Sequence, residues 1–181
     1  MTRLLAVLAV VAVGVAAFAY VDTASPPWYE RLRYPLAYSA IIRGHARNYD
    51  LEPALLAAVI YQESKFETDA RSDAGAIGLM QLQPETARGI AVRTGGSRFR
   101  VEDLEDPEIN VRYGSWYLRN LLDKYGDERL ALAAYNAGQT QVDRWRAEGS
   151  DIAFAETRHY VERVSELKAI YRRAYASELG Y

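Results

Sequence analysis

Apolar residues recur along most of this chain with the spacing of an α-helix. They fall at i, i+3, i+4 and i+7, which places them on one face of a helix with 3.6 residues per turn. The stretches that follow this pattern are residues 38–45, 51–64, 109–121 and 160–171. No internal repeat or low-complexity tract appears after the N-terminal twenty residues. The pattern predicts a compact, mainly α-helical domain.

Residues typical of helix ends separate these stretches from two irregular segments. Asp50 is a candidate N-cap, Asp106-Pro107-Glu108 is typical of a helix start, and Gly126 of a helix end. Between the helices, residues 68–83 and 92–105 are rich in glycine and polar side chains. We expect the first of these segments to be a loop with a short extended piece, placed to carry functional side chains.

The N-terminal segment has the features of an export signal. Arg3 precedes an unbroken apolar run, Leu4–Tyr20, and small residues occur at Ala17-Phe18-Ala19. The run is longer than a usual signal core and almost long enough to span ~30 Å of hydrocarbon. It is therefore either cleaved or kept as an anchor in the cytoplasmic membrane, with Arg3 on the cytoplasmic side. The predicted division is a signal peptide or anchor at 1–24, a proline-rich linker at 25–35 and one domain at 36–181.

Composition excludes several classes of function. The 181 residues carry a formal net charge of −2, so no basic surface for nucleic acid is expected. The absence of cysteine excludes disulfides and thiolate metal sites. The two histidines, expected at helix surfaces or boundaries, are too few for most histidine-based metal sites. We expect neither a metal nor a cofactor.

Glu63 is the most informative single residue. With Leu55 and Val59 it follows an i, i+4, i+8 spacing, so its carboxyl group continues an apolar helix face. Burial and a position near the helix C-terminus both disfavour the ionised form, and they raise the pKa toward the range of a general acid. Alternatively the helix ends at Gln62, and Glu63 is a solvated residue paired with Lys65.

Two further segments have a composition that suits a sugar. Residues 75–81 combine glycines, which let a ligand approach the main chain, with a methionine and a glutamine. Residues 133–138 end a predicted helix with Tyr135 and Asn136 among small neighbours. Taken singly, a tight turn with core residues explains the first segment equally well, and structural roles explain the second.

Four segments in order resemble the soluble lytic transglycosylase family, whose members are related to goose-type lysozyme. They are Ile60–Ser64, Ala70–Ala87, Ala133–Gly138 and Glu156–Val161, and the resemblance extends from Tyr34 to Tyr171. Tyr61 and Gln83 depart from the residues often found there. The resemblance implies a helical, lysozyme-like domain with a groove for strands of alternating N-acetylglucosamine and N-acetylmuramic acid. It also implies that the protein is located outside the cytoplasmic membrane, in the periplasm.

The resemblance also implies roles for individual residues. Glu63 matches the family's catalytic acid, and Tyr160 matches an aromatic residue expected to hydrogen-bond near it. The positions expected to bind the glycan are Ser64, Ser72, Gly78, Met80, Gln81, Tyr135, Asn136 and Tyr160. The implied partner is the glycan strands of peptidoglycan. The N-terminal segment adds an expected contact with the cytoplasmic membrane.

The expected chemistry needs only one protein carboxyl group. Most glycosidases use two carboxyl groups, and no second acid stands out in this sequence. The 2-acetamido group of muramic acid can stabilise the reacting carbon, while Glu63 protonates the leaving oxygen and then deprotonates the sugar's C6 hydroxyl. The product is a 1,6-anhydro sugar. Two alternatives remain at this point: a goose-type muramidase in which Asp69 or Asp73 holds a water, and a non-catalytic module that docks on peptidoglycan.

Overall fold

The computed structural model describes residues 2–181. Within the first helix, side chains are described for residues 7, 8, 11–16, 18–20 and 23. The chain divides into two units, one ending at Pro35 and the other comprising Leu36–Tyr181.

The first unit contains two helices, α1 (Thr2–Ala24) and α2 (Pro27–Arg33). The predicted export signal or anchor coincides with α1, but part of it, including the Arg3 side chain, lies outside the described residues. Within the described residues, no helix is both long enough and apolar enough to cross a membrane. The predicted linker is not wholly irregular, because α2 lies inside it. Pro27 suits the first turn of a helix, where its missing N–H has no intrahelical partner to lose.

The second unit consists of helices joined by short loops and one long loop. Its elements are α3 (Ser39–Asn48), α4 (Pro53–Ser64), α5 (Pro84–Thr94), a 3₁₀ helix (Val101–Glu105), α6 (Pro107–Tyr125), α7 (Glu128–Ala137), α8 (Gln139–Ala147), α9 (Ala155–Ala174) and α10 (Ala176–Leu179). In the described chain, β-type pairing is limited to two isolated bridges, Arg71 with Ile77 and Ile77 with Leu82. The predicted mainly α-helical fold and the short extended piece in the long loop are confirmed.

Helix α4 forms the centre of this unit. Every residue from Ala54 to Ile60 is buried, because α9 and α3 pack against the helix. A helix that is apolar on all sides belongs inside a domain rather than on its surface. The spacing predicted that Leu55 and Val59 form one apolar face of α4, but the helix has no solvent-facing side at these residues. Glu63 instead lies where a fully enclosed helix reaches its end.

Helix boundaries follow the predictions except at α4. Asp106 caps α6 with its side chain, and Gly126 ends that helix in the left-handed conformation, at φ 63°. The predicted cap at Asp50 is wrong, since Asp50 lies in a left-handed turn at φ 49° and α4 begins at Pro53. The physical reason is that a residue before proline is held out of the helical region, so Glu52 stays extended at ψ 125°.

His45 lies in the last turn of α3, so the predicted place near a helix boundary is confirmed, but the predicted surface position is wrong. It is 5% exposed rather than at a helix surface, and its Nε2 lies 2.8 Å from Oε1 of Glu108. This contact joins α3 to α6. His45 makes it from the face of α3 that the apolar spacing of residues 38–45 predicted to be buried.

A close contact between α6 and the long loop predicts opposite effects for the same substitution at two glycines. Gly114 in α6 lies against Met80, and a Cβ there would fall 2.8 Å from Met80 Cε and 2.9 Å from Met80 Cβ. Gly44 in α3 has open space at the same point. We expect Gly114→Ala to lower the free energy of unfolding by about 1–3 kcal/mol through overpacking. Gly44→Ala, the matched control, should raise it by about 0.5–1 kcal/mol. Urea denaturation measures both, and equal gains from the two variants would contradict the packing described.

Candidate active site

Glu63 lies in the last turn of α4, where the helix leaves the core. The helix ends at Ser64, and both Lys65 (φ 52°) and Phe66 (φ 70°) adopt the left-handed conformation, which stops the helix sharply. The carboxyl group is half-buried. The predicted position near a helix C-terminus is confirmed, and the alternative in which the helix ends at Gln62 is wrong.

Tyr160 provides the hydrogen bond to this carboxyl group. It projects from α9, and its hydroxyl donates to Oε1 of Glu63 at 2.6 Å. Burial raises the pKa of Glu63 from 4.5 to about 7, although the hydrogen bond from Tyr160 opposes that rise. Burial and the charge of Glu63 raise the pKa of Tyr160 well above its usual range, so the phenol keeps its proton. At neutral pH Glu63 is therefore present in both protonated and ionised forms.

Ser64 makes hydrogen bonds that give it a structural role. Its predicted contact with the glycan stays a prediction, since Ser64 also lines a cavity beside Glu63. Its side chain is buried, and its hydroxyl donates to the carbonyl of Leu79 at 2.8 Å. It also accepts a hydrogen bond from the Phe66 amide at 3.2 Å. The hydroxyl thus attaches the end of α4 to the loop that contains residues 77–81.

Met80 corrects a further prediction. Its side chain is fully buried against Gly114, so it cannot line a groove. Its main chain still belongs to the site, because the Tyr135 hydroxyl donates to the Met80 carbonyl at 2.7 Å. Gly78 is also buried, and a Cβ there would collide with the Asn110 amide and the Leu104 carbonyl. The glycine is thus required by close packing of the protein itself.

One cavity beside Glu63 contains Gln81 and Ser72. It has a volume of about 340 Å³ and is lined by Gln62, Glu63, Ser64, Lys65, Glu67, Ala70, Arg71, Ser72 and Gln81. The Gln81 amide nitrogen donates to the carbonyls of Ala70 and Gly78, each at 3.0 Å, which fixes this half-buried side chain. Ser72 is exposed, and its hydroxyl accepts from the Ala76 amide at 3.0 Å.

A second cavity opens on the side of Glu63 that faces α9. It has a volume of about 320 Å³ and is lined by Gln62, Glu63, Asn136, Glu156, His159 and Tyr160. The Thr157 hydroxyl donates to Oδ1 of Asn136 at 2.9 Å and orients that amide. Sequence reasoning missed Glu156 and His159. Glu156 could have been found, because it precedes Tyr160 by four residues and so shares its helix face.

The carboxyl groups that line a cavity with Glu63 are not the two considered from sequence as bases that hold a water. Asp69 and Asp73 are exposed and do not line either cavity that contains Glu63. Glu67 and Glu156 do line these cavities, and both are exposed. In the part of the chain that the structure describes, no three His, Asp or Glu side chains lie close enough together to hold a metal ion.

A larger cavity, of about 870 Å³, does not include Glu63. It is lined by Gln83, Glu85, Thr86, Gly89, Ile90, Arg93, Trp116, Tyr117, Asn120, Lys124 and Gln139. The ring of Tyr117 lies 5.5 Å from the ring of Tyr135, which itself bonds the Met80 carbonyl. This aromatic pair connects the large cavity to the segment beside Glu63. Aromatic rings among amides and hydroxyls can pack against sugar rings and bond their substituents.

Comparison with known proteins identifies relatives of this domain. Residues 40–157 match the family model for the transglycosylase SLT domain. The soluble lytic murein transglycosylase of Salmonella typhimurium is 34% identical over 152 residues, which are 77% of this chain and 24% of that protein.

Two solved structures share the fold. The lytic transglycosylase Slt of Pseudomonas aeruginosa, an inactive mutant, gives a TM-score of 0.73 at 34% identity, covering 87% of this chain and 27% of that one. The 70-kDa soluble lytic transglycosylase of Escherichia coli gives 0.75 at 31% identity, covering 80% and 25%. The chain thus spans about a quarter of the length of these relatives.

The raised pKa of Glu63 predicts a stability change that does not depend on any activity. Because the folded-state pKa is about 7 against 4.5 for a free carboxyl, the ionised form is penalised, and stability is lost as the pH rises from 4.5 to 7. At pH 8 we expect the free energy of unfolding of Glu63→Gln to exceed that of the wild type by about 1–3 kcal/mol. The advantage should shrink toward pH 4, where both residues are uncharged. Denaturation curves at both values test this.

Glu67→Gln is the control for this measurement, since Glu67 lines the same cavity but is exposed. It should show no comparable gain at pH 8. A Glu63→Gln variant that is less stable than the wild type at pH 8 would mean that burial does not dominate at this site.

Proposed function

We propose that this chain, which belongs to the transglycosylase SLT domain family, cleaves the glycan strands of peptidoglycan as a lytic transglycosylase. The bond cut is the β-1,4 link between N-acetylmuramic acid and N-acetylglucosamine, and the product carries a 1,6-anhydromuramic end. The observation that supports this most directly is the half-buried Glu63 carboxyl, with a pKa of about 7 and a hydrogen bond from Tyr160.

In the first step Glu63 acts as a general acid. Its protonated form donates to the glycosidic oxygen as the bond from that oxygen to C1 of the muramic acid breaks. Positive charge then develops at C1, where the carbonyl oxygen of the sugar's own 2-acetamido group stabilises it. Tyr160 bonds Oε1 and so holds the carboxyl orientation during the transfer.

In the second step the same residue acts as a general base. Glu63, now ionised, removes the proton from the C6 hydroxyl of the muramic acid, and the C6 oxygen attacks C1. The proton balance closes, because the leaving sugar keeps the proton from Glu63, and Glu63 receives one in its place from the C6 hydroxyl. The hydrogen bond from Tyr160 stabilises the ionised form between the two steps. A pKa of about 7 lets one group serve both roles at neutral pH.

The cavities provide room for sugars on both sides of Glu63. One contains Gln81 and Ser72, and the other contains Asn136, so amide and hydroxyl groups can bond the acetamido and hydroxyl substituents. The large cavity with Trp116 offers an aromatic surface for further sugar units. Under this proposal, the predicted binding residues that line a cavity with Glu63 are Ser64, Ser72, Gln81, Asn136 and Tyr160.

We also propose that the domain acts outside the cytoplasmic membrane, in the periplasm, with residues 1–24 as export signal or anchor. The support is the sequence pattern described above, an arginine followed by a long apolar run. An anchored enzyme would be confined to wall strands close to the membrane.

Product analysis tests the proposed reaction and the role of Glu63 together. The full chain and its Glu63→Gln variant are incubated with purified peptidoglycan, and the products are identified by mass spectrometry. We expect anhydromuramic ends from the wild type and a loss of at least about 10³-fold in rate from the variant, because one group supplies both proton transfers.

Other products would contradict the proposal in specific ways. Reducing muramic ends would indicate a hydrolase, and the base would then be sought first at Glu67 and Glu156, which line the cavities with Glu63. Binding without cleavage would indicate a docking module.

The contact between Tyr160 and Glu63 predicts a shift in pH dependence. In the free enzyme kcat/KM falls as Glu63 loses its proton, near pH 7. Because the Tyr160 hydrogen bond lowers the pKa of Glu63, Tyr160→Phe should move this descending limb to higher pH. Tyr125→Phe is the matched control, since its hydroxyl bonds Asp143 instead. A limb that stays in place or moves to lower pH in Tyr160→Phe would contradict the assignment.

A further inference from the structure

Asn110 is a buried polar residue to which neither the sequence nor the proposed chemistry assigns a role. It lies in the first turns of α6 and is fully buried. Its Oδ1 accepts from the Met80 amide at 2.8 Å, and its Nδ2 donates to the carbonyls of Ile77 (2.9 Å) and Leu104 (2.8 Å). The side chain therefore uses one acceptor and both donors on three main-chain groups.

Two of those three groups belong to the loop beside Glu63. Ile77 and Met80 flank the tight turn at Gly78, so a single amide bonds both sides of the turn. The approach is so close that a Cβ on Gly78 would collide with the Asn110 amide. The third group, the Leu104 carbonyl, ties the same amide to the 3₁₀ helix.

The loop is also held from two other helices. The Ser64 hydroxyl of α4 donates to the Leu79 carbonyl, and the Tyr135 hydroxyl of α7 donates to the Met80 carbonyl. Asn110 is the member of this set that bonds the loop at two residues. Gln81 follows directly, in a left-handed conformation at φ 46°, and its side chain enters the cavity that contains Glu63.

We propose that Asn110 is a positioning residue for glycan binding: it fixes the turn at residues 77–80, and through it the Gln81 side chain beside Glu63. The proposal rests on the proposed function for the identity of the ligand. Asn110 lines none of the cavities described above that contain Glu63, so it acts through the loop and does not touch the substrate. The Glu63–Tyr160 pair joins α4 to α9 and does not involve this loop.

The chemistry of the contact specifies an asparagine. An aspartate has nearly the same shape and can still accept from the Met80 amide, but its second oxygen would face two carbonyl oxygens with no proton to share. Asn110→Asp should therefore push the turn away while leaving the volume of the side chain unchanged.

The experiment separates binding from chemistry. In the full chain carrying Glu63→Gln, which removes turnover, affinity for a purified glycan fragment of N-acetylglucosamine and N-acetylmuramic acid is measured by calorimetry with and without Asn110→Asp. We expect Asn110→Asp to weaken binding about 10-fold or more, the loss typical of a displaced hydrogen-bonding group. With Glu63 intact, KM should rise in proportion, and the descending limb of the pH profile should stay where it is in the wild type.

Ile42→Ala is the control for a merely structural effect. Ile42 is equally buried, but it lies in α3, none of whose residues lines a cavity described above. The variant should lower the melting temperature while leaving glycan affinity within about twofold of its parent, when both are measured well below that temperature. If Asn110→Asp binds as tightly as its parent, or if Ile42→Ala weakens binding as much, the proposal is wrong.

A second variant covers the case in which Asn110→Asp does not fold. Gly78→Ala displaces the same amide from the loop side and leaves α6 unchanged, so it should weaken binding in the same way. Unchanged affinity in Gly78→Ala would equally overturn the proposal. Failure of the proposed function is distinguishable, because it would appear as absent anhydromuramic products from the wild type whatever the variants do.

Discussion

The site depends on the position of one carboxyl group, that of Glu63, at the end of a helix whose fully enclosed stretch is wholly apolar. Helix α4 is enclosed over the whole of Ala54–Ile60, and Glu63 emerges in its last turn. Burial favours the protonated form, while the hydrogen bond from Tyr160 favours the ionised form, and the two effects leave the pKa at about 7. If Glu63 were more exposed, its pKa would fall toward the usual value of a carboxyl group, and without the hydrogen bond from Tyr160 its pKa would rise further. The packing of α9 against α4 sets both effects at once, because Tyr160 belongs to the helix that covers α4.

The segment beside Glu63 is built so that few of its polar groups are free. Ser64, Tyr135 and Asn110 each bond the main chain of residues 77–80, and Met80 fills the space against Gly114. A loop with left-handed residues at Gly78 and Gln81 would be costly to hold in one conformation without such bonds. Residues that look like ligand contacts in sequence thus position the few that reach the cavity. The rigidity of the site comes from helices on three sides, not from the loop.

Sequence periodicity predicted the helices well and the site less well, for a physical reason. The faces of the amphipathic helices and the helix ends at Asp106 and Gly126 follow from local pattern. The burial of Glu63 was predicted from an apolar stripe on α4, whereas that helix is enclosed on every side. The pattern identified Met80 and Ser64 as residues of the right segment, but whether a side chain points to a ligand or to the core depends on contacts with residues far away in sequence. Met80 points inward because Gly114 leaves room for it, more than thirty positions later in the chain. The sequence did not indicate that Asn110 is buried, because a single asparagine in an amphipathic helix has the same pattern as any exposed polar residue. Glu156 could have been found from its spacing to Tyr160.

Under the proposed function, the arrangement of acids favours a nucleophile that is supplied by the substrate. A hydrolase would need a base that holds a water opposite Glu63. The two acids suggested for this from sequence, Asp69 and Asp73, face solvent and line neither cavity with Glu63, while Glu67 and Glu156 line them from exposed positions. Glu63, with a pKa of about 7, can transfer both protons by itself. A second carboxylate is then not needed to position a nucleophile, if the nucleophile is a hydroxyl of the bound sugar. The C6 hydroxyl is such a nucleophile, because it is tethered to the ring that contains C1 and loses little freedom on attack. One carboxyl group with balanced protonation is then sufficient for the whole of the proposed reaction.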